Sequence, residues 1–246
     1  MQGAMDKLRK LILWMCIGIA PLPVQAQEEM DRANTDPWEG FNRKIFVFNE
    51  TLDKHLLRPV AQGYRKVTPD VVDRGITNIF NNLDDVLVFA NSLFQLKGHS
   101  AAVSLSRFIF NTTFGIAGFF DVATEFGLEK QEEDFGQTLG YWGVGPGPFL
   151  MLPVLGPSTV RDAVARVPDV YMDPTYYWLT TPEAVAVAMV EGIDRRADLI
   201  PGESLIIGDR YSFIRNVYLQ RREYLIQDGQ VEDPFASDDF DEDFEF

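Results

Sequence analysis

The chain has 246 residues, of which 46% are hydrophobic and 13% aromatic, and its formal net charge is -15. This length is enough for one sizeable core or two modest ones, and one domain is the simpler expectation. The acidic balance removes the electrostatic basis for binding a phosphate backbone, so nucleic acid is not an expected partner.

Residues 1–26 have the pattern of a secretory signal peptide. Three basic residues precede the apolar run LILWMCIGIA, and the small residues Val24 and Ala26 precede a cleavage point at Gln27. The run is shorter than the roughly 20 apolar residues that cross a bilayer. The chain's single cysteine, Cys16, lies in this signal. We therefore expect an exported mature chain without a disulfide or a thiolate metal site.

The rest of the chain predicts an all-α fold with no internal repeat. Residues 27–36 form a polar linker, and Asp36 with Pro37 predicts a helix start. Apolar spacing predicts helices over residues 38–57 and 58–64 with a break at Arg58-Pro59, over 70–96, and over 100–123 with a glycine turn. Three more helices are predicted near 158–167, 182–199 and 212–226, and no alternating stretch is long enough to predict a sheet.

Two segments depart from the helical pattern. Gly140 to Ser158 is rich in glycine and proline yet apolar, which predicts an ordered, non-helical hairpin. Residues 229–246 contain no basic residue and are expected to be a disordered acidic tail. The tail is either a solvated segment or a docking strand for a basic partner.

Residue patterns for catalysis or for a metal are lacking. Neither His55 nor His99 has a convincing set of ligands around it, and Ser100 lacks the second glycine of a nucleophile elbow. Prolines in the GVGPGP run remove the backbone donors of a phosphate loop. Adjacent carboxylates such as Asp84-Asp85 diverge on a helix, and we interpret them as solvated or pore-facing charge. No enzyme, cofactor or metal is predicted.

The first helix is apolar over most of its circumference, with a narrow seam formed by Asn42, Arg43, Asn49 and Glu50. Residues 100–120 share this pattern. Helices with wide apolar faces fit a protein that lies in one leaflet of a membrane with its polar seams turned inward. The alternative is a compact all-α core in which these aromatic residues pack on one another.

Ordered motifs between residues 36 and 228 resemble the MlaA/VacJ family of outer-membrane proteins. The matching segments include DPWEGFNR, NNLDD, RFIFNTTFGIAGFFDVA, FGQTLGYWGVGPGPFLMLP and RNVYLQRREY. The resemblance implies a ring of amphipathic helices around a central channel, spanning residues 37–228 and embedded in the inner leaflet of the outer membrane. Phospholipids misplaced in the outer leaflet would pass through this channel to a soluble periplasmic lipid carrier, with a trimeric porin as a scaffold partner.

Within this picture, three sets of residues receive roles. The polar lane of the channel is assigned to Asn42, Arg43, Asn49, Asn78, Asn82, Arg107 and Asn111, although Arg107 is equally suited to a buried ion pair. Contact with acyl chains is assigned to Phe41, Phe46, Phe48, Phe108, Phe110, Phe119 and Phe120. The hairpin is assigned to a gate, with Tyr141, Trp142, Gly143, Gly145, Gly147 and Phe149, or to a rigid plug that closes the ring.

Two further expectations qualify the resemblance. Members of the family are usually lipoproteins, but Met15 is too bulky for the position before a lipidated Cys16, so we expect no lipid anchor. A passive scaffold that tethers a porin and a carrier without conducting lipid is the alternative function. A phospholipase would require a nucleophile that the sequence does not offer.

Overall fold

The computed structural model describes residues 36–206 and 208–229. The fold below is that of the unit that begins at Trp38. The predicted signal peptide, with Cys16, lies outside the described residues. So do the polar linker before Asp36 and the acidic tail after Gly229, and their boundaries remain predictions.

Ten α-helices, one π-helical turn, one 3₁₀ turn and one β-hairpin make up the described part of this unit. In chain order they are α1 (Glu39–Leu52), the π-helix (Asp53–Leu57), α2 (Arg58–Val67), α3 (Asp70–Phe94), α4 (Gly98–Thr113), α5 (Val122–Glu125), α6 (Phe135–Tyr141), β1 (Phe149–Leu152), β2 (Gly156–Thr159), α7 (Val160–Met172), α8 (Thr175–Trp178), α9 (Thr181–Leu199), the 3₁₀ turn (Pro201–Leu205) and α10 (Arg210–Ile226). The predominantly helical fold is confirmed.

The first helix does not begin where the sequence predicted. Trp38, rather than Asp36, is the N-cap, and the Trp38 carbonyl accepts from the amides of Phe41 and Asn42 at 2.9 Å each. The predicted break at Arg58-Pro59 is a π-helix that joins α1 to α2 without leaving helical geometry. The Arg58 amide donates five residues back, to Asp53. This wider turn accommodates Pro59, whose ring clashes with the preceding turn of a regular helix.

The predicted hairpin is confirmed over β1 and β2, whose antiparallel register pairs Phe149 with Thr159 and Leu152 with Gly156. The first two residues of the predicted hairpin segment, Gly140 and Tyr141, are instead the last two residues of α6, a helix that the sequence did not predict. Asn42 on α1 holds β1 in place: its Nδ2 donates to the Phe149 carbonyl at 3.0 Å, and its Oδ1 accepts from the Met151 amide at 2.9 Å. A buried side chain thus completes the hydrogen bonding of a strand edge.

A small apolar core lies under the hairpin. Phe149, Met151 and Tyr211 are buried there, and Ile45 and Phe46 of α1 pack against them. The Tyr211 ring meets the rings of Phe46 and Phe149 edge-on, with centroids 5.6 and 6.2 Å apart. This core joins α1, β1 and α10.

The turn between α4 and α5 fits closely against α3. Ile116 and Ala117 both have a positive φ of 55°, which is costly for residues with a Cβ. Gly75 of α3 leaves room for the Phe119 ring, whose nearest atom would lie 2.1 Å from a Cβ at that position. The predicted glycine turn is therefore a tight, packed structure.

Packing between elements closes a circuit. α3 contacts α6, α6 contacts α10, and α10 contacts β2. The hairpin leads to α1, which continues through the π-helix to α2, and α2 packs on α9, which returns to α3. Between residues 36 and 229, leaving out 207, no helix is long and apolar enough to cross a membrane.

Candidate functional site

Polar side chains occupy the interior of the described structure, whereas large apolar side chains cover much of its surface. Twenty buried residues are polar or charged and nine are apolar, while 37 large apolar side chains are exposed. Proteins that live in water rarely bury charged side chains and rarely expose large apolar patches. This distribution indicates an outer surface suited to an apolar phase.

Arg107 of α4 is the centre of a buried ion cluster, with 1% of its surface exposed. Its Nη2 lies 3.0 Å from Asp121 Oδ2, and its Nε lies 3.4 Å from Asp85 Oδ2. Its Nη1 donates to Thr124 Oγ1 at 3.0 Å and to the Leu128 carbonyl. One guanidinium therefore ties α3, α4 and the segment around α5 together.

Asp85, fully buried on α3, receives a second cation from Lys130. The Lys130 ammonium lies 2.8 Å from Asp85 Oδ1 and donates to the Asn81 carbonyl at 2.6 Å. Burial raises the pKa of the Asp85 carboxyl, and the charges of Lys130 and Arg107 counteract part of that rise. These contacts hold the segment from Lys130 onward against α3.

A network of amides and hydroxyls fixes α6 to the C-terminal end of α3. The Thr138 hydroxyl donates to Asn91 Oδ1 at 2.9 Å. Gln95 Nε2 donates to Glu133 Oε2 at 2.8 Å and to the Thr138 hydroxyl at 3.2 Å. Lys97 forms an ion pair with Glu133, with its Nζ 2.9 Å from Glu133 Oε1.

Arg222 of α10 lies between two carboxylates. It forms a bidentate ion pair with Asp134, the N-cap of α6, and its Nη2 lies 3.1 Å from Asp162 Oδ1 on α7. Tyr218 donates to the other oxygen of Asp162 at 2.8 Å. Burial by itself would raise the pKa of both carboxyls. Arg222, together with the Gln137 amide at Asp134 and with Arg161 and Tyr218 at Asp162, outweighs burial and holds each pKa below the ordinary value. α6, α7 and α10 are thereby locked together.

Four members of these networks, Lys130, Glu133, Asp134 and Arg222, line a cavity of about 380 Å³, which we call the central cavity. Its wall comes from α3, the segment of residues 130–134, α6, α9 and α10. Four lining residues are apolar: Phe80, Leu87, Val88 and Leu225. The others are polar or charged: Thr77, Asn81, Asp84, Lys130, Gln131, Glu132, Glu133, Asp134, Gln137, Glu191, Asp194, Arg195, Arg221 and Arg222.

An apolar groove of about 490 Å³ lies between α3, α8 and α9. Ile76, Ile79, Leu83 and Trp178 are among its lining residues, all of which are apolar except Thr175. Phe80 lines both this groove and the central cavity. One face of α3 is therefore apolar and the neighbouring face is polar.

Across residues 36–206 and 208–229, no group of histidine, cysteine and carboxylate side chains could hold a metal ion.

A family model described as MlaA lipoprotein matches residues 34–225. The chain belongs to the MlaA family. The MlaA protein of Escherichia coli K12, named an intermembrane phospholipid transport system lipoprotein, is 35% identical over 206 residues, covering 81% of this chain and 82% of its own. The Haemophilus influenzae protein of the same name is 34% identical over 203 residues, covering 80% and 81%.

Another relative and a solved structure are similar to this chain to the same degree. A Rickettsia bellii protein is 38% identical over 196 residues, covering 78% of this chain and 77% of its own. A solved structure described by the words "Structural basis for maintenance of bacterial outer membrane lipid asymmetry" superposes with a TM-score of 0.71 at 36% identity. It covers 78% of this chain and 98% of that chain, so the MlaA fold extends over most of this one.

The α1 residues assigned to the polar lane bond to neighbouring elements. Asn49 binds the hairpin backbone through a clamp of two hydrogen bonds, as Asn42 does. Its Nδ2 donates to the Leu152 carbonyl at 2.9 Å, and its Oδ1 accepts from the Val154 amide at 2.8 Å. Arg43 lies 2.7 Å from Asp209, just before α10, and burial is slight there. This pair lowers the pKa of the Asp209 carboxyl.

The α3 and α4 members of the assigned lane brace the turn between α4 and α5. Asn78 donates to a carbonyl of this turn, that of Phe119, at 3.1 Å, and Asn82 donates to Thr112 Oγ1 at 2.9 Å. Asn111 donates to Asp121, the N-cap of α5, at 3.0 Å. None of the seven assigned residues lines the central cavity in the described structure, and their role in a lipid lane remains a prediction.

The phenylalanines assigned to acyl-chain contact divide into two groups. Phe41, Phe48 and Phe120 are about half exposed, at 54%, 51% and 46%. The other four are partly buried: Phe46, Phe108, Phe110 and Phe119. The exposed group is placed to meet acyl chains directly, and the contact itself remains a prediction.

The residues assigned to a gate have different environments. Phe149 is fully buried in the core under the hairpin, whereas Tyr141 and Trp142 are exposed. The Trp142 indole donates to the Phe94 carbonyl at 3.0 Å. Gly143 and Gly147 have positive φ, and a Cβ at Gly147 would lie 3.3 Å from Val160.

Sequence reasoning missed the contribution of α9 to the central cavity. Glu191, Asp194 and Arg195 have the spacing i, i+3 and i+4, which places them on one face of a helix. On α3 the lining residues Thr77, Asn81 and Asp84 lie on the face next to that of Asn78 and Asn82. Spacing could have identified both faces, but only packing shows that they meet.

Proposed function

We propose that this protein transports phospholipids that have reached the outer leaflet of the outer membrane, and passes them toward the periplasmic side. The observation that carries the proposal is the reversed polarity of the molecule, with charged groups inside and large apolar side chains outside. The names of the E. coli and H. influenzae relatives, which place those proteins in an intermembrane phospholipid transport system, support it.

The surface accounts for the membrane part of the proposal. Wide apolar faces on helices that do not span a bilayer are typical of proteins that lie in one leaflet. The exposed aromatic residues of α1 and of the turn after α4 provide such faces. We therefore place the protein in the inner leaflet of the outer membrane, reached by export with the predicted signal peptide.

The central cavity accounts for the transport part. Moving a headgroup across hydrocarbon costs several kcal/mol for each polar or charged group left without a partner. A cavity lined by carboxylates, guanidiniums and amides supplies such partners, while the adjoining apolar groove accommodates acyl chains beside the same residue, Phe80. The transported lipid keeps its head and tails in separate environments, and no covalent step is needed.

Filling the central cavity tests this proposal. Asn81 lines the cavity, and its contact with Lys130 uses the backbone carbonyl, which a substitution of the side chain leaves in place. Asn81→Trp should therefore block the cavity while keeping that contact. Val72→Trp places the same side chain on an exposed site of the same helix and serves as the control.

Passage is measured in proteoliposomes that hold the full chain, a trimeric porin and a periplasmic lipid carrier, with labelled phospholipid in the outer leaflet. We expect a severalfold loss of transfer for Asn81→Trp and no loss for Val72→Trp. Equal transfer by the two variants would contradict a route through the central cavity. Release of a headgroup or of a fatty acid from the labelled lipid would instead support the phospholipase alternative.

The passive scaffold is the second candidate, in which porin and carrier are held without lipid conduction. The acidic residues 230–246 would dock the carrier in that case. Under the scaffold alternative, deleting them should abolish carrier binding, and lipid transfer should not depend on any residue that lines the central cavity. Loss of transfer in Asn81→Trp with carrier binding retained separates the two candidates.

The hairpin remains a candidate gate. Arg161 donates to the Val144 carbonyl from its side chain at 3.2 Å and to the Pro146 carbonyl from its backbone at 3.1 Å. These bonds are those of a rigid plug, and a gate requires that they break. Gly147→Val introduces strain at a positive φ. Gly202→Val adds the same side chain in open space outside the hairpin and is the control. Unchanged lipid asymmetry in Gly147→Val cells would leave gating without support.

A further inference from the structure

The central cavity has more acidic than basic lining residues. Six carboxylates face four cations: Asp84, Glu132, Glu133, Asp134, Glu191 and Asp194 against Lys130, Arg195, Arg221 and Arg222. Three of these cations already have a carboxylate partner outside α9. Lys130 bonds to Asp85, Arg221 to Glu132 and Arg222 to Asp134.

The imbalance is concentrated on the wall made by α3 and α9. Arg195 lies 3.3 Å from Asp84 and 2.6 Å from Glu191, so one guanidinium serves two carboxylates. Burial raises the pKa of both of these carboxyls. The charges of Lys130 and Arg195 at Asp84, and of Arg195 at Glu191, counteract only part of that rise. Both carboxylates would therefore gain from a second cation.

Asp194 adds a third carboxylate to this wall. It is 2% exposed, and it accepts hydroxyl hydrogen bonds of 2.9 Å from Tyr64 and from Thr77. Within the part of the chain that the structure describes, it has no ion pair. We call Asp84, Glu191 and Asp194 the acidic wall. Arg195 forms ion pairs with the first two of these carboxylates.

An independent feature of the cavity also calls for a donor. Gln137 of α6 lines the cavity with 2% of its surface exposed, and its Oε1 has no hydrogen-bond donor among the described residues. A buried acceptor without a donor costs about 1–3 kcal/mol. A ligand that brings N–H groups into the cavity would satisfy this acceptor.

We propose that the central cavity selects phospholipids whose headgroup carries a primary ammonium, such as phosphatidylethanolamine, over phospholipids with an anionic headgroup. This inference rests on the proposed function, since it names the lipid class that the cavity takes. An ammonium has three donors and a positive charge, which match the acidic wall and Gln137. In phosphatidylglycerol the glycerol is uncharged, so the phosphate makes the headgroup anionic, and the acidic wall repels it.

The test measures which lipid the purified full chain retains. The protein in detergent is mixed with equal amounts of phosphatidylethanolamine and phosphatidylglycerol, and the lipid that co-elutes is quantified by mass spectrometry. We expect an excess of phosphatidylethanolamine. Glu191→Gln should lower the ratio by roughly threefold to tenfold, the effect of one nearby charge, and Arg195→Gln should raise it.

Glu125→Gln, on an exposed site outside the cavity, is the control and should leave the ratio unchanged. Because Glu191→Gln and Arg195→Gln remove opposite charges from one ion pair, damage to the fold would move both ratios in the same direction. Equal retention of the two lipids by the unmodified chain overturns this inference while the transport proposal stands. Failure to retain any lipid counts against both.

Discussion

Asn42 and Arg107 stabilise different parts of the fold in the same way, since each is a buried side chain that bonds to several groups at once. Asn42 replaces a missing neighbour strand for β1, and Arg107 joins two carboxylates, a hydroxyl and a carbonyl. Buried polar groups of this kind contribute little when complete and cost much when one partner is removed. Their substitution is therefore expected to be severe.

Asn42→Ala removes a donor and an acceptor from the buried edge of β1. The Phe149 carbonyl and the Met151 amide lose their partner, and the free energy of unfolding should fall by about 2–4 kcal/mol. Chemical denaturation in detergent measures the change. Lys44→Ala, exposed on the same helix, should change it by less than about 0.5 kcal/mol. Equal values for the two variants would contradict the clamp.

Arg107→Gln leaves the buried Asp85 with Lys130 as its remaining cation. Breaking a buried ion pair from one side costs about 3–5 kcal/mol, and we expect a loss of that size in denaturation experiments. Arg210 forms an exposed pair with Glu50 at 3.3 Å, so Arg210→Gln should cost at most about 1 kcal/mol. A loss in Arg107→Gln no larger than in Arg210→Gln would show that the cluster is not structural.

Among the elements, α3 has the largest organising role, because its faces contact α4, α6, α7 and α9. Periodicity predicted its bounds within two residues, since a 25-residue amphipathic helix is a strong pattern. The seven-residue α6 was not predicted, because it contains two glycines and depends on Asp134 as its N-cap. The helix predicted near 158–167 begins later, at Val160, since Ser158 and Thr159 pair in β2, and it continues through Pro168 to Met172.

Asp169 connects three of these helices and predicts a pH dependence. Its Oδ1 on α7 accepts from the Phe135 amide at 3.0 Å and from Asn91 at 3.4 Å. Burial, with a smaller effect from Asp134, raises the pKa of the Asp169 carboxyl to about 6. In the unfolded chain the Asp169 carboxyl loses its proton near pH 4. The contribution of protonated Asp169 to the free energy of unfolding is therefore complete below pH 4 and is lost as the pH rises to about 6.

Asp169→Asn does not titrate, so the stability difference between it and the unmodified chain should depend on pH. Allowing for partial exposure, the variant should gain about 1–2 kcal/mol relative to the unmodified chain between pH 4 and pH 6.5. Other carboxyls titrate in both proteins and cancel in the difference. A difference that stays constant over this range would exclude a raised pKa at Asp169.

For the whole molecule, the reversed distribution of polarity decides where the protein can reside. The net charge of -15 opposes attraction to an anionic surface, so binding to lipid must come from apolar contact. Apolar contact is not screened by salt, in contrast to surface electrostatics. Membrane association should therefore persist at high ionic strength.

Flotation with vesicles of neutral lipid tests this expectation. The full chain should float in both low and high salt, and the double variant Phe41→Glu/Phe48→Glu should float severalfold less. Lys44→Glu, an exposed change on the same helix, serves as the matched control. Release of the unmodified chain by salt would show that charge, rather than apolar contact, holds the protein on the membrane.

The sequence by itself determined the long helices, the hairpin and the family, because apolar periodicity and ordered motifs are local properties of the chain. It also identified Arg107 as either a lane residue or a buried ion-pair partner, and the structure shows the ion pairs. Only the tertiary structure decided which polar faces meet. Residues as far apart as Thr77 and Arg222 line one cavity because α3, α6, α9 and α10 pack around it, and such long-range packing leaves no trace in local spacing.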